Sequence, residues 1–208
     1  MTRYIPICLA VWLGSSAPVL GEEFFIRSGE KNLVQFESKA PLESFAGKTN
    51  QVHGQLDLDA DSLGARMGVY IEVDLASLDT GNGLRNKHMR DSHLETARFP
   101  KAIFRGGTII APSRARLEPA QEVAFEIEDE LELHGVKRIL RAPVEMTLST
   151  QGGQPQLHIV SRFEVKLSDH KIPRPKFLMM KLDEVQHVTL DFVAESGALH
   201  LAGTKASR

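Results

Sequence analysis

The chain has 208 residues, with 25 Lys+Arg against 27 Asp+Glu for a net charge of −2. That balance offers no basic face for nucleic acid, and a single cysteine cannot build a disulfide framework. The length suits one domain with a core large enough to hold it together.

The opening stretch, MTRYIPICLAVWLGSSAPVLGEE, has the form of a secretory signal: Arg3, an apolar run, then small residues. Val19 and Gly21 stand at positions minus three and minus one to a cut before Glu22. Pro6 and the Ser15, Ser16 pair interrupt the run, which falls short of the ~20 apolar residues that span a bilayer. The expectation is a signal peptide over 1–21, a folded domain over 22–197 and a disordered tail over 198–208, with a periplasmic or secreted address. Cleavage would remove Cys8 and Trp12, so the mature chain would rest on its core alone.

From there the period is two, the mark of strands with one dry and one wet face. FFIRS and NLVQFES are short strand candidates, and APLESFAG after them reads as one helical turn behind Pro41. TNQVHGQLDLD is the next strand; GARMGVYIEVD then puts Met67, Val69, Ile71 and Val73 on one face. NGLRNKHMRDSHLE reads as a helix capped by Asn82, although Leu84, Met89 and Leu94 recur every five residues. AIFRGGTII leads into EVAFEIEDELELHG, where Val123, Phe125, Ile127, Leu131 and Leu133 alternate with charge and Asp129 alone breaks the series. ILRAPVEMTLST, LHIVSRFEVKLSD and HVTLDFVAE follow with the same pattern, and HGVKR and TQGGQP are hairpin connectors. The eleven residues from Val123 to Leu133 would span about 36 Å. Eight or nine such strands in one domain make a sandwich or a closed barrel.

The polar stretch SLDTGNGLRNKHMRDSHLETARFPKAIF resembles the signature of the YceI-like family of bacterial exported proteins, through Ser77, Asp79, Thr80, Arg85, His88, Arg90, Phe99, Pro100, Ala102 and Phe104. LELHGVKRILRAPVEMTL looks like that family's second landmark, a strand ending in His-Gly-Val, and SRFEVKLSDHKI with DEVQHVTLDFVAE resembles its closing strands. Asn86 and Met89 depart from the pattern, standing where the family usually has Asp and Leu. The early His-x-Gly element is blurred, although Gly54 is kept. The resemblance implies an all-β fold: an extended lipocalin-like eight-stranded antiparallel β-barrel, a short helix and loop capping one end, its interior holding an isoprenoid or similar lipid.

On that reading Met67, Val69, Ile71, Val73, Phe104, Phe125, Ile127, Leu131, Val144, Met146, Phe163, Val165, Leu190 and Phe192 line the lumen. Each buried CH₂ of a tail would gain about 0.8 kcal/mol on leaving water. The competing reading is a filled core, with the protein acting as a stress-related interaction or homodimer module. For the polar stretch, a metal site on His88 and His93 is disfavoured by their spacing of five and the lack of cysteines. A triad from Ser77 or Ser92, His88 and Asp79 or Asp91 lacks a Gly-x-Ser-x-Gly elbow. The preferred reading is a lid in which Asp79, Arg85, His88 and Arg90 satisfy strand ends and one another; Arg85 or Arg90 greeting a polar ligand head is secondary. The expectation is no catalysis, metal or cofactor beyond a bound polyisoprenoid or quinone-like lipid. A carrier of this kind is compatible with transient membrane contact and, by analogy, with a homodimer.

Overall fold

A computed structural model describes residues 22–39, 44–64, 66–177 and 180–197; the expected signal peptide and tail lie outside them. The strands are β1 (Glu22–Ile26), β2 (Leu33–Lys39), β3 (Ser44–Thr49), β4 (Val52–Leu58), β5 (Arg66–Asp74), β6 (Lys101–Ile110), β7 (Glu122–Leu133), β8 (Val136–Gln151), β9 (Gln154–Lys166), β10 (Lys176–Phe177), β11 (Met180–Lys181) and β12 (Val185–Ser196). The small hairpin of β10 and β11 stands apart from the main sheet.

The main sheet closes as an eight-stranded antiparallel barrel. β12 pairs with β9 along one edge; along the other it meets β1 at Phe24–Ile26 and β2 at Leu33–Glu37. β1 and β2 are therefore two halves of one stave, and β3 and β4, which pair with β2 and β1, are the halves of the next. Every remaining stave pairs with its neighbours in sequence. The result is an up-and-down barrel, which removes exposed edges.

Two findings correct the sequence reading. The described part of APLESFAG, from Ser44 onward, is strand β3 and not a helical turn, with Phe45 opposite Ser38 and Gly47 opposite Phe36. TNQVHGQLDLD breaks between Thr49 and Val52 because its halves serve different partners.

Alternation sends apolar side chains inward and charge outward, with cross-strand pairs such as Arg105–Glu132 at 3.0 Å and Lys137–Glu130 at 2.8 Å on the flank. That is the reverse of a lipid-embedded barrel, whose apolar band faces out. Asp129 breaks the series for a reason. β6 bulges at Gly106 and Gly107, and Asp129 Oδ2 accepts the Gly107 N–H at 3.1 Å. Gly107 has φ +135°, and a Cβ there would stand 2.2 Å from the Met67 carbonyl oxygen.

One end of the barrel is plugged. The loops after β4 and β6 clasp each other, Leu63 N–H donating to Ala115 O and Leu117 N–H to Ala60 O. This drives Leu63 and Leu117 into a floor with Phe24, Leu58, Val123 and Leu157, all buried. The other end carries the polar stretch.

Candidate functional site: an apolar lumen under a polar lid

Above the floor the barrel is hollow, with a cavity of about 570 Å³. That is within the usual range for small-molecule pockets. Every stave contributes to its wall: Phe36 and Phe45 from the flared hairpin of β2 and β3, Leu56 from β4, then inward residues of β5 to β9 and β12. Val69, Ile71, Val73, Phe104, Ile127, Leu131, Val144, Met146, Phe163, Val165, Leu190 and Phe192 all line it. Met67 and Phe125 do not; they are packed into the buried core around the floor. The polar residues among the strand-borne lining are Gln35, Ser38, Ser161 and Gln186. Ser161 donates to Pro143 O at 2.7 Å and Gln186 Nε2 to Asp183 O at 2.8 Å. Ser38 Oγ is buried with no hydrogen-bond partner among the described residues.

The lid begins where β5 ends. Asp74 Oδ1 accepts the Ala76 N–H at 2.9 Å, capping a 3₁₀ turn over Leu75–Ser77. Ser77 donates to Asp74 O at 2.6 Å and lies 2.6 Å from Thr49 Oγ1, so its hydroxyl is a structural strut. Asp79 and Lys48 exchange backbone hydrogen bonds at 2.9 Å, extending the sheet past β5. Asn82 caps helix α1 (Gly83–His88), accepting the Arg85 N–H at 3.1 Å. A π turn over Met89–His93 follows, closed by Leu94 N–H donating to Met89 O at 2.8 Å.

That wide turn explains the spacing of five, which suits no α-helical face. Met89 and Leu94 pack with Leu75 and Leu78, sealing the lid onto the barrel. Leu84 is 66% exposed and borders the mouth. His88, at the end of α1, and His93, at the end of the π turn, both border the cavity. Burial pushes the His93 imidazole below its ordinary range, though Nδ1–H donates to Pro173 O at 2.9 Å. No three His, Cys, Asp or Glu side chains converge as a metal site among the described residues.

The four lid candidates separate. Arg85 lines the mouth: it lies 4.1 Å over the Phe45 ring, and its Nε and Nη2 donate to Thr80 Oγ1 at 2.9 Å and Thr80 O at 3.0 Å. His88 borders the same opening, while Asp79 and Arg90 stand off the cavity wall. Asn86 Nδ2–H at 2.6 Å and the Gly81 N–H at 2.9 Å hold the Asp79 carboxyl below the usual carboxylate range, with help from the Arg90 charge. Asn86 Oδ1 accepts from both Thr80 N–H, at 2.9 Å, and Thr80 O–H, at 2.7 Å.

The three sequence landmarks meet at this end. His134 and Gly135, with φ of 53° and 69°, form the tight turn between β7 and β8. Phe99 covers that turn, its ring 4.6 Å from the His134 ring and so close to Gly135 that a Cβ would meet it at 2.6 Å. His134 Nδ1–H donates to His170 O at 3.1 Å, and His170 Nδ1–H donates to Val136 O at 3.2 Å. The motif residues thus fasten the lidded end of the barrel. Its wall, to which the signature adds Ala102 and Phe104, also draws on Val34, Phe36, Ala142, Ile159 and Val188, which alternation marks as inward, and on Phe45 of β3, which it does not.

The fold has relatives of known structure. Burkholderia cenocepacia BcnA superposes with a TM-score of 0.61 at 15% identity, covering 78% of this chain and 96% of that one. A polyisoprenoid binding domain from Saccharophagus degradans, implicated in plant cell wall breakdown, gives 0.62 at 15% identity over 85% and 99%. The Campylobacter jejuni YCEI protein gives 0.53 at 15% identity over 69% and 80%. No curated protein sequence matches the chain. At such identities the structures establish the barrel alone, but the model of the YceI-like domain matches residues 28–195 of this sequence. With that match spanning the barrel from β2 to Glu195 near the end of β12, the chain belongs to the YceI-like family.

Proposed function

We propose that this protein is a non-enzymatic, exported lipid-binding protein that holds a polyisoprenoid, quinone or fatty-acyl chain in its lumen for transport or sequestration. The observation that carries this reading is the hollow of about 570 Å³ walled by apolar side chains from every stave. From Gln186 to Phe192 the lining runs six residues along β12, about 20 Å of strand. A dry channel of that length suits a linear chain, because shielding its methylenes from water is the dominant gain. The polyisoprenoid binding described for the Saccharophagus degradans domain supports the same ligand class. Export follows from the secretory form of residues 1–21, and a cut before Glu22 spares every described strand. Transient contact with a membrane is the natural step for loading, and exposed Leu84 stands at the mouth to make it.

The absence of catalysis is read from how the candidate polar groups are used. Ser77, Asp79 and Arg85 engage backbone and side chains of the lid. The alternative, a homodimer or stress-response module with a filled core, is disfavoured by the hollow itself.

The test is extraction. Protein purified from a bacterial envelope in its mature form, beginning at Glu22, should yield a long-chain lipid by native mass spectrometry at close to one per barrel. Repeated recovery of lipid-free protein with no affinity for added prenyl chains contradicts the reading.

A further inference from the structure

The lumen ends well short of the barrel's closed end, and the staves agree on where. On β5, β7 and β9 the cavity is lined by Val69, Ile127 and Ile159. The next inward residue of each toward the closed end, Met67, Phe125 or Leu157, is packed into the core without reaching the hollow. β4 and β12 divide in the same way, between Leu56 and Leu58 and between Phe192 and Ala194. Phe125 is the bulkiest of these five excluded residues, and it pairs across the sheet with Val144, which lines the cavity. It therefore stands at the boundary itself. Beneath this layer the two loops clasp, Leu63 N–H donating to Ala115 O at 2.9 Å and Leu117 N–H to Ala60 O at 2.8 Å, and both leucines are buried. A chain that enters from the lidded end has no way through.

The depth above the layer is consistent from stave to stave. The lining runs from Ile127 to Leu133 on β7, from Met146 to Leu140 on β8 and from Phe192 to Gln186 on β12. Each stretch covers about 20 Å of strand, or about 15 Å along the axis at the usual tilt of barrel staves. An extended chain advances about 1.2 Å per bond, so the four chain bonds of an isoprene unit take about 5 Å.

We infer that this layer, with Phe125 as its bulkiest member, is a length gauge: the lumen shields in full a prenyl chain of about three to four isoprene units and leaves the far end of a longer one in water. The inference rests on the lipid-binding reading above and adds which chain length is favoured and which residues set it. Each carbon that enters the lumen raises affinity about fourfold, and each carbon left outside adds nothing. Affinity therefore climbs steeply with length and then stops. Removing the Phe125 ring would open the way toward the next inward residue, Val123, about 7 Å further along β7 and enough for one more unit.

The experiment offers mature protein an equimolar mixture of prenyl alcohols of two to eight units and counts the bound species by native mass spectrometry. Wild type should favour three and four units, hold two units at least about tenfold less, and gain nothing from five units upward. Phe125→Ala should move the end of the climb up by one unit. Ile127→Phe, which adds bulk on the cavity side of the layer, should move it down by one. Melting temperatures establish that each variant is folded; if Phe125→Ala is not, Ile127→Phe decides, because it removes no packing. Wild type that binds all lengths alike or keeps gaining through six and eight units overturns the gauge, as do folded variants that keep the wild-type preference. Wild type that retains no prenyl alcohol of any length sinks the lipid-binding reading itself.

Discussion

Asn86 uses its amide at both ends to fix one corner of the lid, accepting from Thr80 N–H and O–H and donating to Asp79. The geometry shows why a neutral residue works here: the amide nitrogen can donate to Asp79, which a carboxylate could not. Thr80 is buried, so Asn86→Ala would leave its two donors unanswered and should cost about 2 kcal/mol, read as a lower denaturant midpoint with unchanged slope. His93 supplies a pH response at the same scale. Burial lowers its folded-state pKa below the unfolded value, so the unfolded chain binds more protons between the two. The stability this neutral histidine allows is complete above its unfolded pKa of about 6.5 and is lost as pH falls toward the lower folded value. Thermal unfolding of wild type and His93→Gln at pH 7.5 and pH 5 should show wild type losing more on acidification; equal losses would count against the assignment.

At the scale of elements, the two β6 glycines make the bulge that sits between β5 and β7. Gly107→Ala would combine φ +135° with a Cβ 2.2 Å from a backbone oxygen and should cost about 3 kcal/mol, or roughly 10 °C in melting temperature. A variant that melts within a degree or two of wild type would mean the backbone there adjusts freely. The bulge also shows what the sequence could and could not convey. Period-two alternation carried the inner face of β5, β7, β8, β9 and β12, because which side a residue faces is a local property. Depth is not local: Met67 and Phe125 have the right parity, but Leu63 and Leu117 fold in from two loops and claim that end as floor. β3 was illegible since its strand character comes from pairing with β2 rather than from its own six residues. The spacing of Leu84, Met89 and Leu94 was visible but matched no α-helical face, since a π turn intervenes. Asn82 as a cap was legible because capping needs only its own side chain and the next turn.

For the molecule as a whole, the division of labour is between a lidded end fastened by polar motifs and a wall built from ordinary apolar residues. Most of the recognisable residues, from Asp79 to His170, keep the barrel's opening in shape, while the lumen, to which Ala102 and Phe104 of the signature contribute, is specified by size and parity. Ala142 lies buried on the inner face of β8 against the cavity, so Ala142→Trp should fill the hollow from within. In a packed core such an enlargement would be strongly destabilising; in this barrel it should fold with little change in melting temperature and exclude the lipid. The most direct measurement is a titration of wild type and Ala142→Trp with prenyl alcohols of increasing length. Wild-type affinity should climb with each added isoprene unit, then level off once the lumen is full, and Ala142→Trp should lose the climb. Affinity indifferent to chain length, or a tryptophan variant that binds long chains as well as wild type, would contradict the account.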